Sequence, residues 1–600
     1  MAEPIAKSTI HTYGLVLREM CASADKPVQS FNVSSDYDFQ MIRDFTTRVS
    51  EPDGKCIHDL IVEQLKATPE RQAICSYEEE GDMTYGELDA LTTRLANHLI
   101  ELGVKPETYV LACFEQSMWA IVTRLAILRA GGAYVMIEAN NPPLYFDSII
   151  TRTKAKFLLT QPKFMTRFKG AVPNVMEISR ETVESMNLPP ALPDVGVTSK
   201  NACLLVFTSG STGQPKAIVQ NHDGYATGVR DFVRVLGLDS STRMLQFDDY
   251  AFGISDNEYM SPLIVGGCCC VLSPIRTTFE NFTRQINRLE ANVSFFTPTV
   301  AAQLDPSKFT TLKTVTFGGE ATPKGLIRKW SQHLNFIHQY GMGEVTCFVS
   351  LNPHTTADQS TNIGWPGSGA IYIVVPGAPD RLAPVGAIGE ILLEAPTISR
   401  GYLDDIVDTS SSARFLAKRP DWLVAMHPDR SNSTDQRLYL SGDLARYNHD
   451  GSVEHIGRKD HMLKVNGNRV DAAEVEFCAR AALPDPEGDT VIVGLRGTIT
   501  EDDGPELTTY LYIRGISEEK ERERKEKDDE NKNEKAKPIL HWDATQVPGA
   551  AEVVEGVKKA IGEKLPPHNL PTAFLLVDRI PRTATKKTDR KKLSMSVEGI

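Results

Sequence analysis

LLVFTSGSTGQPKAIVQNH, residues 204–222, sets four apolar residues, Leu204 to Phe207, directly before Thr208-Ser209-Gly210-Ser211-Thr212-Gly213 and then Gln214-Pro215-Lys216. The apolar run has the composition of a buried strand. Small residues let backbone N–H groups close around an anion, hydroxyls add donors, and Lys216 brings a cation. The stretch therefore reads as a phosphate-gripping loop fed by a strand, in a spacing other than the G-x-x-x-x-G-K-[ST] of P-loop proteins. A flexible Ser/Gly linker would not follow an apolar strand.

Upstream, LTTRLANHLIELGV (91–104) carries apolar residues at helical spacing, YVLACF (109–114) reads as a buried strand, and WAIVTRLAILRAGGAYVMI (119–137) returns to helix, turn and strand. That alternation predicts an α/β fold of layered, largely parallel sheets. Downstream, residues 437–471 read as short strands with turns at His449-Asp450-Gly451 and Asn466-Gly467, a small antiparallel unit leading to a C-terminal domain. Residues 517–537 are nearly all charged and without an aromatic, which predicts a solvated loop or frayed helix. The polar first 54 residues read as a linker or a remnant of something upstream.

A chain of 600 residues allows roughly three to six domain-sized units. Its net charge of −13 disfavours nucleic acid and anionic membranes as partners. The start has no basic segment leading into an apolar run, and no stretch of about 18 apolar residues follows, so a cytoplasmic protein is expected. Ten cysteines are too sparse for a disulfide scaffold, and consecutive Cys268, Cys269 and Cys270 read as buried thiols of a strand.

With Thr-Ser-Gly-Ser-Thr-Gly-x-Pro-Lys in place, the chain resembles the adenylate-forming (ANL) enzymes, and among them the adenylation domains of fungal nonribosomal peptide synthetases. The resemblance runs in order through LRAGGAYVMIEANNPP (128–143), Gln339-Tyr340-Gly341-Met342-Gly343-Glu344, GEILLEAPTISRGYLDD (389–405), Tyr439-Leu440-Ser441-Gly442-Asp443, Gly457-Arg458-Lys459-Asp460 and IPRTATKKTDRKKL (580–593). It implies a large N-terminal α/β core over 55–459, a smaller mobile α+β lid over 460–600 with the charged insertion at 517–537, and residues 1–54 left from an upstream condensation domain.

The activity implied by the resemblance is attack of a carboxylate on the α-phosphate of ATP, release of pyrophosphate, and transfer of the acyl group to the phosphopantetheine thiol of a downstream carrier domain. Such a site must neutralise charge developing on phosphate and hold two anions together. By resemblance Lys587 contacts substrate carboxylate and nucleotide, Glu344 holds Mg2+, Lys216 and Arg458 face the phosphates, and Asp443 accepts the ribose hydroxyls. Thr208, Ser209, Gly210, Ser211, Thr212, Gly213, Gly319, Glu320, Ala321, His338, Tyr340 and Gly341 complete the nucleotide site, and Asp460 is the hinge. The chain departs from the family where Met342-Gly343 replaces Pro-Thr, where His455 replaces an aromatic residue, and where Thr585-Lys586-Lys587 stands for Asn-Gly-Lys.

Peptide-synthetase domains usually pair an Asp with the substrate ammonium, and Gly253 stands at that position here. An ammonium left without its carboxylate in a dry pocket is costly. The other pocket positions fall on Ile254, Asn257, Phe295, Thr316, Gly318, Gln339, Cys347 and Phe348, a slot for a flat ring with a polar substituent. An aryl acid such as anthranilate is the expected substrate, an α-hydroxy or α-keto acid the second, with Asp248 or Asp249 as an alternative ammonium partner. A free-standing acyl-CoA ligase and a catalytically silent scaffold are the rival readings. The chain ends just after the final motif without a Ser-bearing carrier segment, so an excised domain served in trans is expected.

Overall fold

The computed structural model describes residues 2–595 except 23–24, 26, 28–29, 78–80, 209–215, 274–278, 404–412, 431–436, 460–461, 466–467, 486–488, 497–505, 529–538, 540 and 582–589. Backbone proximity divides the chain into two units, one of Met1–Ala139, Thr153–Phe207 and Ala217–Asp460, the other of Asn140–Arg152, Thr208–Lys216 and His461–Ile600.

In the first unit, the helix Met118–Arg129 has no polar face to show to water and is buried at every position but Arg129. Its core joins Val110 and Tyr134 of a seven-stranded sheet to Ile74 and Val271 of a fourteen-stranded one. In the larger sheet the strands Gln72–Ser76, Cys268–Val271, Arg243–Gln246, Val293–Phe296, Thr314–Phe317 and Asn335–Met342 run parallel in that spatial order. Such strands, covered on both faces, take near-continuous apolar runs. In the smaller sheet Ala202–Thr208, Ala133–Met136, Tyr109–Cys113, Phe157–Thr160 and Asn174–Glu177 are likewise parallel. The expected helix over 91–104 is the C-terminal part of Tyr85–Glu101, which starts earlier because Thr84 and Glu87 form a capping box.

Two features differ from the sequence reading. The stretch expected to be a linker contains the helices Glu3–Ala22 and Asp36–Phe45. The second is opened by a Ser35–Asp38 capping box, and buried Asp38 also accepts from Thr12 Oγ1 at 3.1 Å and from Val385 N at 3.0 Å. Its apolar side, Phe39, Ile42 and Phe45, packs against a core containing Ile371 and Leu392. The polar residues that made the segment look like a linker are its caps and anchors. Second, the strands Arg437–Tyr447 and Val453–Arg458 belong to the fourteen-stranded sheet, and only Met462–Val465 and Asn468–Asp471 form a separate hairpin.

The second unit has a four-stranded sheet in the order Thr490–Arg496, Glu506–Tyr512, Ala573–Val577, His541–Asp543, mixed in direction. Helices Ala472–Arg480 and Ala550–Gly562 supply Val475, Val554 and Val557 to its core. The charged run begins within the helix Arg514–Asp528, and residues 529–537 of it lie outside the described residues. Cys268, Cys269 and Cys270 are buried free thiols on a strand, as expected. Among the described residues no helix is long and apolar enough to cross a membrane.

One buried charge pair crosses between elements. Arg124, fully buried on the helix between the sheets, donates through Nη1 to Asp256 Oδ1 at 3.1 Å, and Tyr134 OH donates to the same oxygen at 2.6 Å. The guanidinium lies 4.4 Å from the ring centroid of Tyr250 and 4.2 Å from that of Tyr259. Removing one member of such a pair leaves the other charge uncompensated. Arg124→Met is expected to lower the urea stability of the chain by about 3–5 kcal/mol, and adding Asp256→Asn to restore part of it. A single variant as stable as the parent would show that the pair does not anchor this helix.

Candidate functional site

The strands Asn335–Met342 and Val345–Asn352 form a hairpin whose register shifts between Tyr340 and Met342 and whose tip is Gly343-Glu344. Glu344 is buried, and Tyr402 OH donates to its Oε1 at 2.9 Å. Gly343 O accepts from Gln220 Nε2 at 2.6 Å, and Gln220 Oε1 accepts from Thr346 Oγ1 at 3.0 Å. The tip is thus braced by the strand Lys216–Asn221, through a backbone carbonyl at the position where the hydroxyl is missing.

Asp443 and Arg458 sit opposite one another in the register of adjacent antiparallel strands. Arg458 Nη1 donates to Asp443 Oδ1 at 3.1 Å, Tyr340 OH donates to Oδ2, and His455 Nε2 stands 3.4 Å from Oδ1. Both members of the Asp443–Arg458 pair are largely shielded from water, so this is not a screened surface bridge. Burial, and then the Asp443 carboxylate, holds the Tyr340 hydroxyl well above its ordinary pKa, which keeps it a proton donor. Three groups therefore orient one carboxylate before any ligand arrives.

The remaining residues expected at the nucleotide are placed as follows. Thr208 ends one strand and Lys216 begins the next, while Ser209, Gly210, Ser211, Thr212 and Gly213 lie outside the described residues. Asp460 and Lys587 also lie outside them. Gly319, with φ +84°, precedes Glu320, whose Oε2 accepts from Thr299 N at 3.1 Å and Thr299 Oγ1 at 2.7 Å, and Ala321 follows. His338 is buried with Nδ1 3.3 Å from Asn362 O, and Gly341 lies near the end of the same strand.

Strand register brings the expected pocket residues together. Phe295 pairs with Thr316 and Thr316 with Ile337, so Phe295, Thr316 and, two residues further along each strand, Gly318 and Gln339 share one face. A Cβ on Gly318 would stand 2.5 Å from Gln339 O and 3.2 Å from Phe295 Cε2, so only glycine fits. The helix Gly253–Ile264 adds Gly253 and Ile254 at its start and Asn257 one turn on from Gly253. Asn257 Oδ1 accepts from Ser261 Oγ at 2.6 Å, whereas among the described residues Asn257 Nδ2 and Thr316 Oγ1 have no partner, although both are buried.

The last two expected pocket residues, Phe348 and Cys347, are placed as follows. Phe348 packs edge-on to Phe232 at 5.7 Å between centroids, in a core with Met244, Val293, Ile337 and Leu351, so its ring serves packing. Cys347 lies on the strand Val345–Asn352 with its side chain outside the described set. Asp248 and Asp249 are in the loop before the helix, and Asp249 is exposed. That loop is held by buried Glu258, whose Oε2 accepts from Phe247 N at 2.9 Å and Asp248 N at 3.0 Å. Sequence reasoning missed Glu258, Tyr402 and Gln220. The last two lie inside quoted motifs, but their partners are 58 and 123 positions away.

Comparison with known proteins gives the family and the fold. The profile of the family "AMP-binding enzyme" matches residues 61–403. The nonribosomal peptide synthetase atnA of Emericella nidulans is 32% identical over 96% of this chain, which covers 8% of that protein. HC-toxin synthetase of Cochliobolus carbonum is 32% identical over 99% of the chain, covering 11% of its own length. The chain thus spans about a tenth of these curated relatives. In fold it is similar to an artificially fused adenylation–PCP di-domain, NpsA-ThdA, from Klebsiella oxytoca, with a TM-score of 0.69, 21% identity, and coverage of 87% of this chain and 93% of that one.

Glu138, just beyond the strand Ala133–Met136, offers a test of electrostatics beside the pocket helix. Burial, and then Asp249, pushes its carboxyl up to about 7 from an ordinary 4.5. A carboxyl with a raised folded pKa contributes stability below about 4.5 that is lost as pH rises through about 7. Glu138→Gln is therefore expected to match the parent in urea at about pH 4 and to exceed it by about 1–3 kcal/mol at about pH 8. A difference independent of pH would contradict the raised pKa.

Proposed function

This chain belongs to the AMP-binding enzyme family, and from that premise we propose that it activates a carboxylic acid with ATP as an acyl adenylate and passes the acyl group to the phosphopantetheine thiol of a carrier domain. The observation that carries the reading is the Asp443 carboxylate held by Tyr340, Arg458 and His455 beside the strand pair that presents Glu344. A pre-oriented carboxylate is suited to accept ribose hydroxyls, and Arg458 at its edge is suited to phosphate. In the first step a substrate carboxylate oxygen forms a bond to the α-phosphorus, and the bond to pyrophosphate breaks. Lys216 and the loop from Thr208 to Gly213 neutralise the phosphates, and Lys587 bridges substrate and nucleotide.

Glu344 suits a hard divalent cation such as Mg2+, because it is an anionic oxygen donor, buried and oriented by Tyr402. Mg2+ there would neutralise phosphate charge. The second unit would act as the lid about Asp460, exchanging its faces between the two half-reactions. A downstream carrier and an upstream condensation domain are the partners proposed, in keeping with relatives that are multidomain peptide synthetases. The rival acceptor is coenzyme A, since the fold is also similar to an o-succinylbenzoate CoA synthetase of Bacillus subtilis, at TM-score 0.69, 18% identity, and coverage of 92% of this chain and 99% of that one.

For the acid, Gly253 argues against an α-ammonium, and Phe295 with Gly318 argues for a flat ring, with anthranilate the leading candidate. One observation favours the second reading. Asn257 offers an N–H donor, its oxygen being taken by Ser261. A buried donor asks for an acceptor, which a hydroxyl or keto oxygen supplies better than an amine.

ATP–pyrophosphate exchange against anthranilate, benzoate, salicylate, α-hydroxy, α-keto and proteinogenic amino acids tests these readings. Exchange with an aryl, hydroxy or keto acid is expected, and a common amino acid as best substrate would sink the role given to Gly253. Gly253→Asp should raise exchange with α-amino acids relative to the parent's substrate by about tenfold or more. Lys587→Ala should reduce exchange by at least about a hundredfold with an unchanged unfolding midpoint, and retained exchange would remove Lys587 from the reaction.

A further inference from the structure

We propose that Cys56, His58 and His222 form a Zn2+ site that fastens the start of the helix Ile57–Ala67 to the junction between the strand Lys216–Asn221 and the helix His222–Leu236. One donor atom from each of the three lies within 4.8 Å of the others, and all three side chains are buried. The imidazoles meet edge to face, with centroids 5.0 Å apart and planes at 74°.

The argument rests on unused hydrogen-bonding capacity. A neutral imidazole has one N–H donor and one acceptor nitrogen, and buried ones are satisfied as a rule. Among the described residues neither nitrogen of His222 has a partner, nor does His58 Nδ1. The other nitrogen, His58 Nε2, faces Asp59 Oδ1 at 3.6 Å. A ligating histidine typically turns one nitrogen to the metal and the other to a carboxylate, and His58 is arranged in that manner. Two imidazole nitrogens and one thiolate sulfur make a borderline-soft donor set that suits Zn2+ and leaves its fourth position to water. Around tetrahedral Zn2+ such donors stand about 3.3–3.6 Å apart, so from separations within 4.8 Å the trio would close by at most about 1.5 Å through side-chain torsions.

The thiols of Cys75, Cys268 and Cys270 also lie within 4.8 Å of one another. There, however, the Arg243 guanidinium donates to Cys75 Sγ at 3.1 Å, and a cation already in place opposes a second one. The Cys56 trio has a different consequence for the site already described. His222 follows Gln220 by two residues, and Gln220 braces Gly343 beside Glu344, so an ion at His222 would stiffen the strand that supports this turn.

The test is made on the full chain, purified with Zn2+ and dialysed, and then stripped and reloaded with Co2+. We expect about one zinc per chain by elemental analysis, and in the cobalt form a thiolate-to-metal charge-transfer band together with tetrahedral d–d absorption. Cys56→Ser should remove the charge-transfer band, His222→Asn should reduce zinc to below about a tenth per chain, and Cys268→Ser should change neither. Chelation should lower the unfolding temperature of the parent and not that of Cys56→Ser. Should His222→Asn fail to fold, Cys56→Ser decides alone, because serine keeps a hydroxyl at that helix N-cap. Parent protein without zinc, which would leave a buried water as the partner of the histidines, overturns the proposal. So does a cobalt spectrum that survives in Cys56→Ser or vanishes in Cys268→Ser.

Discussion

The buried contact between Arg124 and Asp256 is the constraint around which the first unit is arranged. Arg124 belongs to the helix between the two sheets, Tyr134 to a strand of the smaller sheet, and Asp256 to the helix that begins at Gly253. A guanidinium cannot lose its proton under any ordinary condition, so in a dry interior it must keep its carboxylate. The faces of Tyr250 and Tyr259 cover it and replace part of its lost hydration. Any slide of the helix would separate the charges, and this holds Gly253 and Asn257 at one height against the sheet. A buried pair of this kind contributes position more than stability.

The same device recurs elsewhere in the first unit. Glu258 grips the backbone of the loop before the pocket helix, Glu344 is turned by Tyr402, and Asp443 is shared among Tyr340, Arg458 and His455. In each case a shielded carboxyl group is oriented by hydroxyl, guanidinium or N–H donors. A sheet holds such groups in place because the residues opposite one another in register are fixed by backbone hydrogen bonds.

How far the sequence discloses this follows from what periodicity can report. Apolar spacing over 91–137 shows faces and layers, so the α/β architecture is legible. Spacing does not say which distant element a face will meet. Tyr402 and Glu344, or Asp443 and Arg458 across a strand register, become partners only through the topology. Phe348 carries the same signal whether it lines a pocket or packs on Phe232. The helix Asp36–Phe45 escapes notice because its polar residues, Ser35 and Asp38, do their work as caps and anchors, while its apolar stripe of Phe39, Ile42 and Phe45 is short.

The two glycines of the pocket show why geometry is needed to interpret a motif. At Gly318 a side chain is impossible, because its Cβ would meet a backbone carbonyl at 2.5 Å, so packing of adjacent strands explains that glycine. At Gly253 a Cβ would lie 3.7 Å from Tyr225 OH and 3.9 Å from Val206 Cγ2, which is ordinary contact. Nothing in the packing around that Cβ requires the residue at 253 to be small. Packing therefore does not explain the glycine at 253 as it does the one at 318, and among the described residues the buried donors Asn257 Nδ2 and Thr316 Oγ1 have no partner.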